Sequence, residues 1–128
     1  MRALLDTHTL LWWLSDDPQL TPKARKFISA TANSCIVSAV SAWEIATKVR
    51  IGKLPQAAEV IVDFASQMEQ ERFEVLPISL DHALRAGLLP GPHRDPFDRM
   101  LISQAQAEAL PIVGNDRIFD SYGVRRIW

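Results

Sequence analysis

The stretch Arg2-Ala3-Leu4-Leu5-Asp6-Thr7-His8 is an apolar run of strand length that closes on a carboxylate and leads straight into a helical pattern. A continuous apolar run bounded by polar residues marks a strand buried on both faces, and such strands sit in the middle of parallel sheets. In open α/β sheets, ligands bind in the crevice outside the carboxyl ends of the strands. Position alone therefore makes Asp6 a candidate site residue.

The rest of the chain alternates in the way such a sheet needs. Thr9 to Leu14 reads as a short, apolar helix stopped by Ser15-Asp16-Asp17-Pro18. Thr21 with Pro22 predicts a capped second helix ending near Asn33. Cys35 to Ser38 is the second strand, and Ala39 to Ile51 a helix stopped by Gly52. Ala57, Val60, Ile61, Phe64, Ala65 and Met68 recur at helical spacing, predicting one amphipathic helix. Phe73 to Leu76 is the third strand, and Ser79 caps a short helix that ends at Gly87. After the loop 90–94, Asp95-Pro96 starts a helix with Leu101, Ile102, Ala105 and Ala109 on one face. Pro111 to Gly114 is the fourth strand, Asp116 to Tyr122 a short helix or turn, and Val124 to Trp128 an edge strand.

With no repeat, linker or low-complexity tract, 128 residues at 48% apolar content predict one domain, 1–128, with a real core. The formal net charge is -1, so there is no global positive field to draw in nucleic acid, and any such contact must come from a local cluster of Lys and Arg. The one cysteine, Cys35, has no internal disulfide partner and apolar neighbours, which fits a buried thiol and a reducing cytoplasm. No apolar run approaches the ~20 residues that cross a bilayer, and no signal segment opens the chain. The expectation is a soluble, cytoplasmic protein with no membrane partner.

Three further acids fall where they can meet Asp6. Glu44 has Val40, Thr47 and Ile51 as its helical neighbours, a partly apolar row. Asp98 is in line with Leu101, Ile102, Ala105 and Ala109 at the first turn of a core-facing stripe, and Asp116 lies just beyond the fourth strand. Each has an ordinary alternative. Asp6 and Asp116 can be N-caps, Ser41 and Glu44 a capping box, and Asp98 an acid favouring the helix dipole behind a capping Asp95. Four carboxylates at one sheet rim repel strongly when partly desolvated, and a cation resolves the conflict. Oxygen-only donors point to a hard ion such as Mg²⁺ or Mn²⁺, with phosphate as the natural further ligand.

The chain resembles the PIN-domain nucleases, and within them the VapC-type toxins of toxin-antitoxin pairs. The resemblance spans essentially all 128 residues and is carried by Leu4 to His8 with Leu11-Trp12, by Ser38 to Ile45, by Asp95 to Arg99 with Leu101-Ile102, and by Gly114-Asn115-Asp116. It implies a three-layer α/β/α sandwich with a central parallel sheet of strand order 3-2-1-4-5 and an Mg²⁺- or Mn²⁺-dependent endoribonuclease. Asp6, Glu44, Asp98 and Asp116 match the family's acidic quartet as catalytic and metal-binding residues, with Asp6 and Asp98 the principal ligands. It further implies an RNA substrate, a homodimer and a cognate antitoxin whose C-terminal segment blocks the site. One departure is Gly114, where family members often carry Thr or Ser. The hydroxyl's supporting role would then fall to Asn115 or Thr7.

Two rival readings fit the same residues. A receiver-like phosphoacceptor or a haloacid dehalogenase-type phosphatase would also place an aspartate at the end of a strand. The latter usually needs a second acid two residues on, where His8 stands, and the former has no use for Glu44. A catalytically silent RNA-binding domain on the same fold is the other, because fold does not establish chemistry. His82 and His93 are read as ordinary residues, lacking any ligand spacing. Lys48, Arg50, Lys53, Arg94, Arg99 and Arg117 are either phosphate contacts or solvated surface charge. The four tryptophans are expected in the core, with one of the adjacent Trp12 and Trp13 left for an interface.

Overall fold

The computed structural model describes residues 1–128. Its five strands are β1 (Arg2–Leu5), β2 (Ser34–Ser38), β3 (Glu74–Leu76), β4 (Ile112–Val113) and β5 (Arg126–Ile127). They form one sheet of order β3-β2-β1-β4-β5, and every pairing is parallel. The first strand is central, as its unbroken apolar run requires.

Alternation along the strands sends successive side chains to opposite faces. Ala3, Leu5, Cys35, Val37, Val113 and Ile127 enter one core with Leu10, Ile28, Ile45 and Met68. Leu4, Ile36 and Ile112 enter the other, with Val40, Leu101, Ile102 and Phe119. Helices cover both faces: α1 (Thr7–Leu14), α2 (Pro22–Ser29), α3 (Ala39–Arg50), α4 (Ala58–Val62), α5 (Phe64–Gln70), α6 (Leu80–Leu88), α7 (Pro96–Ala107) and α8 (Ile118–Ser121). No helix is long and apolar enough to cross a membrane. Cys35 is buried, and burial pushes its thiol up to about 11.

Local chemistry sets the helix starts. Thr21 accepts from Ala24 N–H at 3.1 Å ahead of Pro22, and Ser79 and His82 make a reciprocal capping box in which His82 Nδ1 accepts from Ser79 N–H. Three expectations need correction. The second helix stops at Ser29, because Ala30 is extended and Asn33 Nδ2 takes the Phe27 carbonyl. The amphipathic stretch after Pro55 is not one helix. It is a 3₁₀ turn (Pro55–Ala57) followed by α4 and α5, broken at Asp63 (φ -141°, ψ 52°), and the amide of Gln67 donates to the carbonyls of Glu59 and Val60 there. Trp43 is 58% exposed and packs edge-on against Phe97 outside either core.

Candidate active site

Asp6 is the first residue after β1 and is fixed from both sides. Its N–H donates to Val113 O at 3.0 Å and its carbonyl accepts from Leu10 N–H, so β4 and the first turn of α1 hold it together. It occupies the N-cap position of α1, yet its side chain caps nothing, which removes the capping explanation. The start of α1 is tied to α3 by Thr7 Oγ1 and Ser41 Oγ at 2.8 Å. On the other side the chain leaving β4 presses close, since a Cβ on Gly114 would lie 3.0 Å from the Asp6 Cβ. A threonine or serine at 114 would press its Cβ against the Asp6 Cβ. Thr7 is engaged by Ser41, whereas Asn115 lines the same cavity as Asp6.

Glu44 arrives from α3. That helix begins at Ala39 with Ser38 as its cap, accepting from Val40 N–H, so Ser41 and Glu44 form no capping box. Glu44 is instead buried and faces the end of β1. Asp98 comes from the first turn of α7. Asp95 Oδ1 caps that turn, accepting from Phe97 and Asp98 N–H, and leaves Asp98 free to point inward. Asp116, at the exposed rim, partly obeys its ordinary reading, because its Oδ1 accepts from Ile118 N–H.

All four predicted acids line one open cavity of about 630 Å³, with Asp95, Asn115, Lys48 and Arg117 also in its wall. The electrostatics bear the marks of that convergence. Burial first, and then the charges of Asp98, Glu44 and Asp116, push the Asp6 carboxyl up to about 7. Burial also raises Asp98, with Asp95 and Glu44 adding to the shift while a hydrogen bond from His93 opposes it.

Three of the four acids lie beside a basic side chain. Lys48 donates to Glu44 at 2.5 Å, His93 Nε2 lies 2.9 Å from Asp98 Oδ2, and His8 Nδ1 lies 3.9 Å from Asp6. No three His, Cys, Asp or Glu side chains converge closely enough to grip a metal ion in this conformation. The donor set nevertheless suits one. Hard oxygens, two of them on buried carboxylates with like-charge neighbours, are what a divalent cation relieves.

Two residues escaped sequence reasoning. His93 meets Asp98 only because Arg99 gathers the intervening loop, donating to the carbonyls of Ala86, Leu89 and His93. Arg99 is thus neither a phosphate contact nor surface charge. No local pattern announces a loop held from a neighbouring helix, whereas the Glu44–Lys48 pairing, also missed, has the i,i+4 spacing of a helix ion pair as its signal.

A second cavity of about 450 Å³ adjoins the first and shares His8, Trp12 and Gln19 with it. Leu11, Leu14, Leu54 and Val60 form its apolar wall. Trp12 sits between His8 and Trp128 at 5.8 Å from each ring, and Trp13 donates to Glu71.

The sequence and the fold are similar to those of known proteins. The chain is 38% identical over 64 residues to ribonuclease VapC16 of Mycobacterium tuberculosis, a match covering 48% of this chain and 42% of that protein. Its fold is that of a chain in the VapBC2 complex of Rickettsia felis bound to a promoter DNA fragment, with TM-score 0.71, 18% identity, and 98% and 97% of the two chains covered. A chain of FitAcB from Neisseria gonorrhoeae superposes with TM-score 0.70 at 18% identity, covering 100% of this chain and 97% of that one. The model of the PIN domain family matches residues 3–124, and the chain belongs to that family.

Proposed function

We propose that the protein is a divalent-cation-dependent endoribonuclease acting as a single domain, 1–128, and that it serves in the cytoplasm as the toxin of a toxin-antitoxin pair. The observation that carries this reading is the meeting of Asp6, Glu44, Asp98 and Asp116, from four separate segments, in one polar cavity at the end of the central strand. Asp6 and Asp98 would be the principal ligands of an Mg²⁺ or Mn²⁺ ion, with Glu44 and Asp116 completing the set. Such an ion, when bound, supplies Lewis-acid stabilisation of phosphate charge and a water acidic enough to attack near neutral pH.

The chain's own residues do the positioning. Asp95 fixes the turn that presents Asp98, His93 fixes the direction of its carboxylate, and Arg99 fixes His93. Arg117, in the cavity wall, would meet a phosphate of the RNA backbone. Water attacks phosphorus, the bond to the 3′ oxygen breaks, and the products carry a 5′-phosphate and a 3′-hydroxyl.

Two surfaces support the partners. Leu80, Leu84 and Leu88 are 78%, 58% and 81% exposed at i, i+4 and i+8 on α6, beside exposed Val75 and Ile78. Monomers seldom leave such a stripe open, and we assign it to the homodimer. Leu84→Asp should yield a monomer by light scattering, and an unchanged wild-type mass in the variant would remove that assignment. The second cavity, which has one apolar wall and adjoins the acidic one, suits an antitoxin segment that ends over the carboxylates.

The test is cleavage of a mixed RNA pool, including tRNA and rRNA, with Mg²⁺, with Mn²⁺ and with chelator, beside Asp6→Asn and Asp98→Asn. Metal-dependent cleavage lost in both variants, with 5′-phosphate ends, is expected. Products ending in 2′,3′-cyclic phosphate would overturn the mechanism, and a protein that binds RNA without cutting it would be the silent binding module.

A further inference from the structure

The acidic cavity already contains a cation. Lys48 follows Glu44 by one turn of α3, and its ammonium donates to Glu44 Oε2 at 2.5 Å with its side chain 27% exposed. Five carboxylates line the cavity against two fixed positive charges, Lys48 and Arg117. Neighbouring arginines are committed elsewhere: Arg99 to three backbone carbonyls, and Arg126 to Asp120 and the carbonyls of Gly114 and Asn115. Among the residues lining the cavity, Lys48 and Arg117 are thus the ones with a fixed positive charge to offer an entering phosphate.

A lysine is suited to changing partners. Its ammonium is a compact point charge on a flexible four-carbon stem, with three donors and no fixed fork. Glu44 is buried and needs a counter-charge in every state, because an unpaired buried carboxylate is costly. A divalent cation at Glu44 meets that need and repels the ammonium beside it.

We infer that Lys48 has two successive partners: in the metal-free protein it neutralises Glu44 and competes with a divalent cation for that carboxylate, and in the loaded protein it gives up Glu44 and binds an RNA phosphate. The inference rests on the ribonuclease reading above for its second half. An ordinary helix-surface pair would do neither, since its removal leaves metal affinity and RNA affinity where they were.

The test uses Lys48→Met, which keeps the stem and removes the charge, and Lys48→Arg, which keeps the charge. Mn²⁺ is titrated calorimetrically into each metal-free protein without RNA, and kcat and KM for RNA cleavage are measured over a salt series. Lys48→Met should bind Mn²⁺ about tenfold more tightly, because a like charge beside the ion is gone. Its KM should rise about tenfold and the slope of log affinity against log salt should fall by about 1, as for a lost phosphate contact. Lys48→Arg should restore KM towards the wild-type value. Unchanged or weaker Mn²⁺ binding by Lys48→Met overturns the competition. Unchanged KM and salt slope overturn the phosphate contact. A wild type that binds Mn²⁺ and cuts no RNA refutes the ribonuclease reading and the second half with it, while the calorimetry still decides the first.

Discussion

Asp6 and Asp120 are both aspartates held by tertiary structure, and they are held in opposite ways. Asp120 lies on the surface by the edge strand, where Arg126 donates to both its oxygens and holds its carboxyl below the usual range. Asp6 sits at the end of the central strand, where burial and three other acids push its carboxyl up to about 7. The fold can satisfy a carboxylate when it places an arginine beside it. In the cavity it gathers five and gives them few cations. That is a standing electrostatic cost in the metal-free protein, of the kind retained where a site needs it.

The largest expected effect separates the two regions by activity. Asp98→Asn should lower cleavage by more than the about 10–100-fold lost when a group merely supporting a ligand is removed, measured as kcat/KM in Mn²⁺.

The second effect is on stability. The Asp6 carboxyl titrates near 3.8 when unfolded and about 7 when folded, so its contribution favours folding fully below about pH 4 and is lost as pH rises through about 7. Above that the charged form costs on the order of 4 kcal/mol. Asp6→Asn should therefore stabilise the metal-free protein increasingly between pH 4 and pH 8, read by urea denaturation. A variant no more stable than wild type at pH 8 would dissolve the contrast.

A smaller effect tests the orientation of Asp98. His93→Ala should weaken Mn²⁺ binding by about 10- to 100-fold, the usual result of removing a group that aims a ligand, with the fold intact by circular dichroism. Smallest of all, Asp120→Asn should change neither the melting temperature nor cleavage measurably, because a surface ion pair contributes little.

The site was legible where chemistry is written locally. Asp6 and Asp116 follow strands, Glu44 lies on a partly apolar helical row, and Asp98 leads a core-facing stripe, so strand ends and helical periodicity brought the four acids to the same rim. The family resemblance supplied the strand order and the quartet as a set. What escaped depends on other segments. The break at Asp63 interrupts a good helical pattern, Trp43 leaves the core to lie on Phe97, and Arg99 acts through backbone carbonyls that carry no side-chain signature. Gly114 is a small residue whose reason appears only when the Asp6 Cβ is seen against it.

The most direct measurement is a calorimetric titration of Mn²⁺ into the metal-free protein at pH 7, repeated in two buffers of different ionisation enthalpy, for wild type, Asp6→Asn and Asp98→Asn. If the carboxylates hold one cation jointly, wild type binds with release of a fraction of a proton from Asp6, and both variants bind far more weakly. If the variants bind Mn²⁺ as wild type does, the converging acids are not the metal site and the account fails.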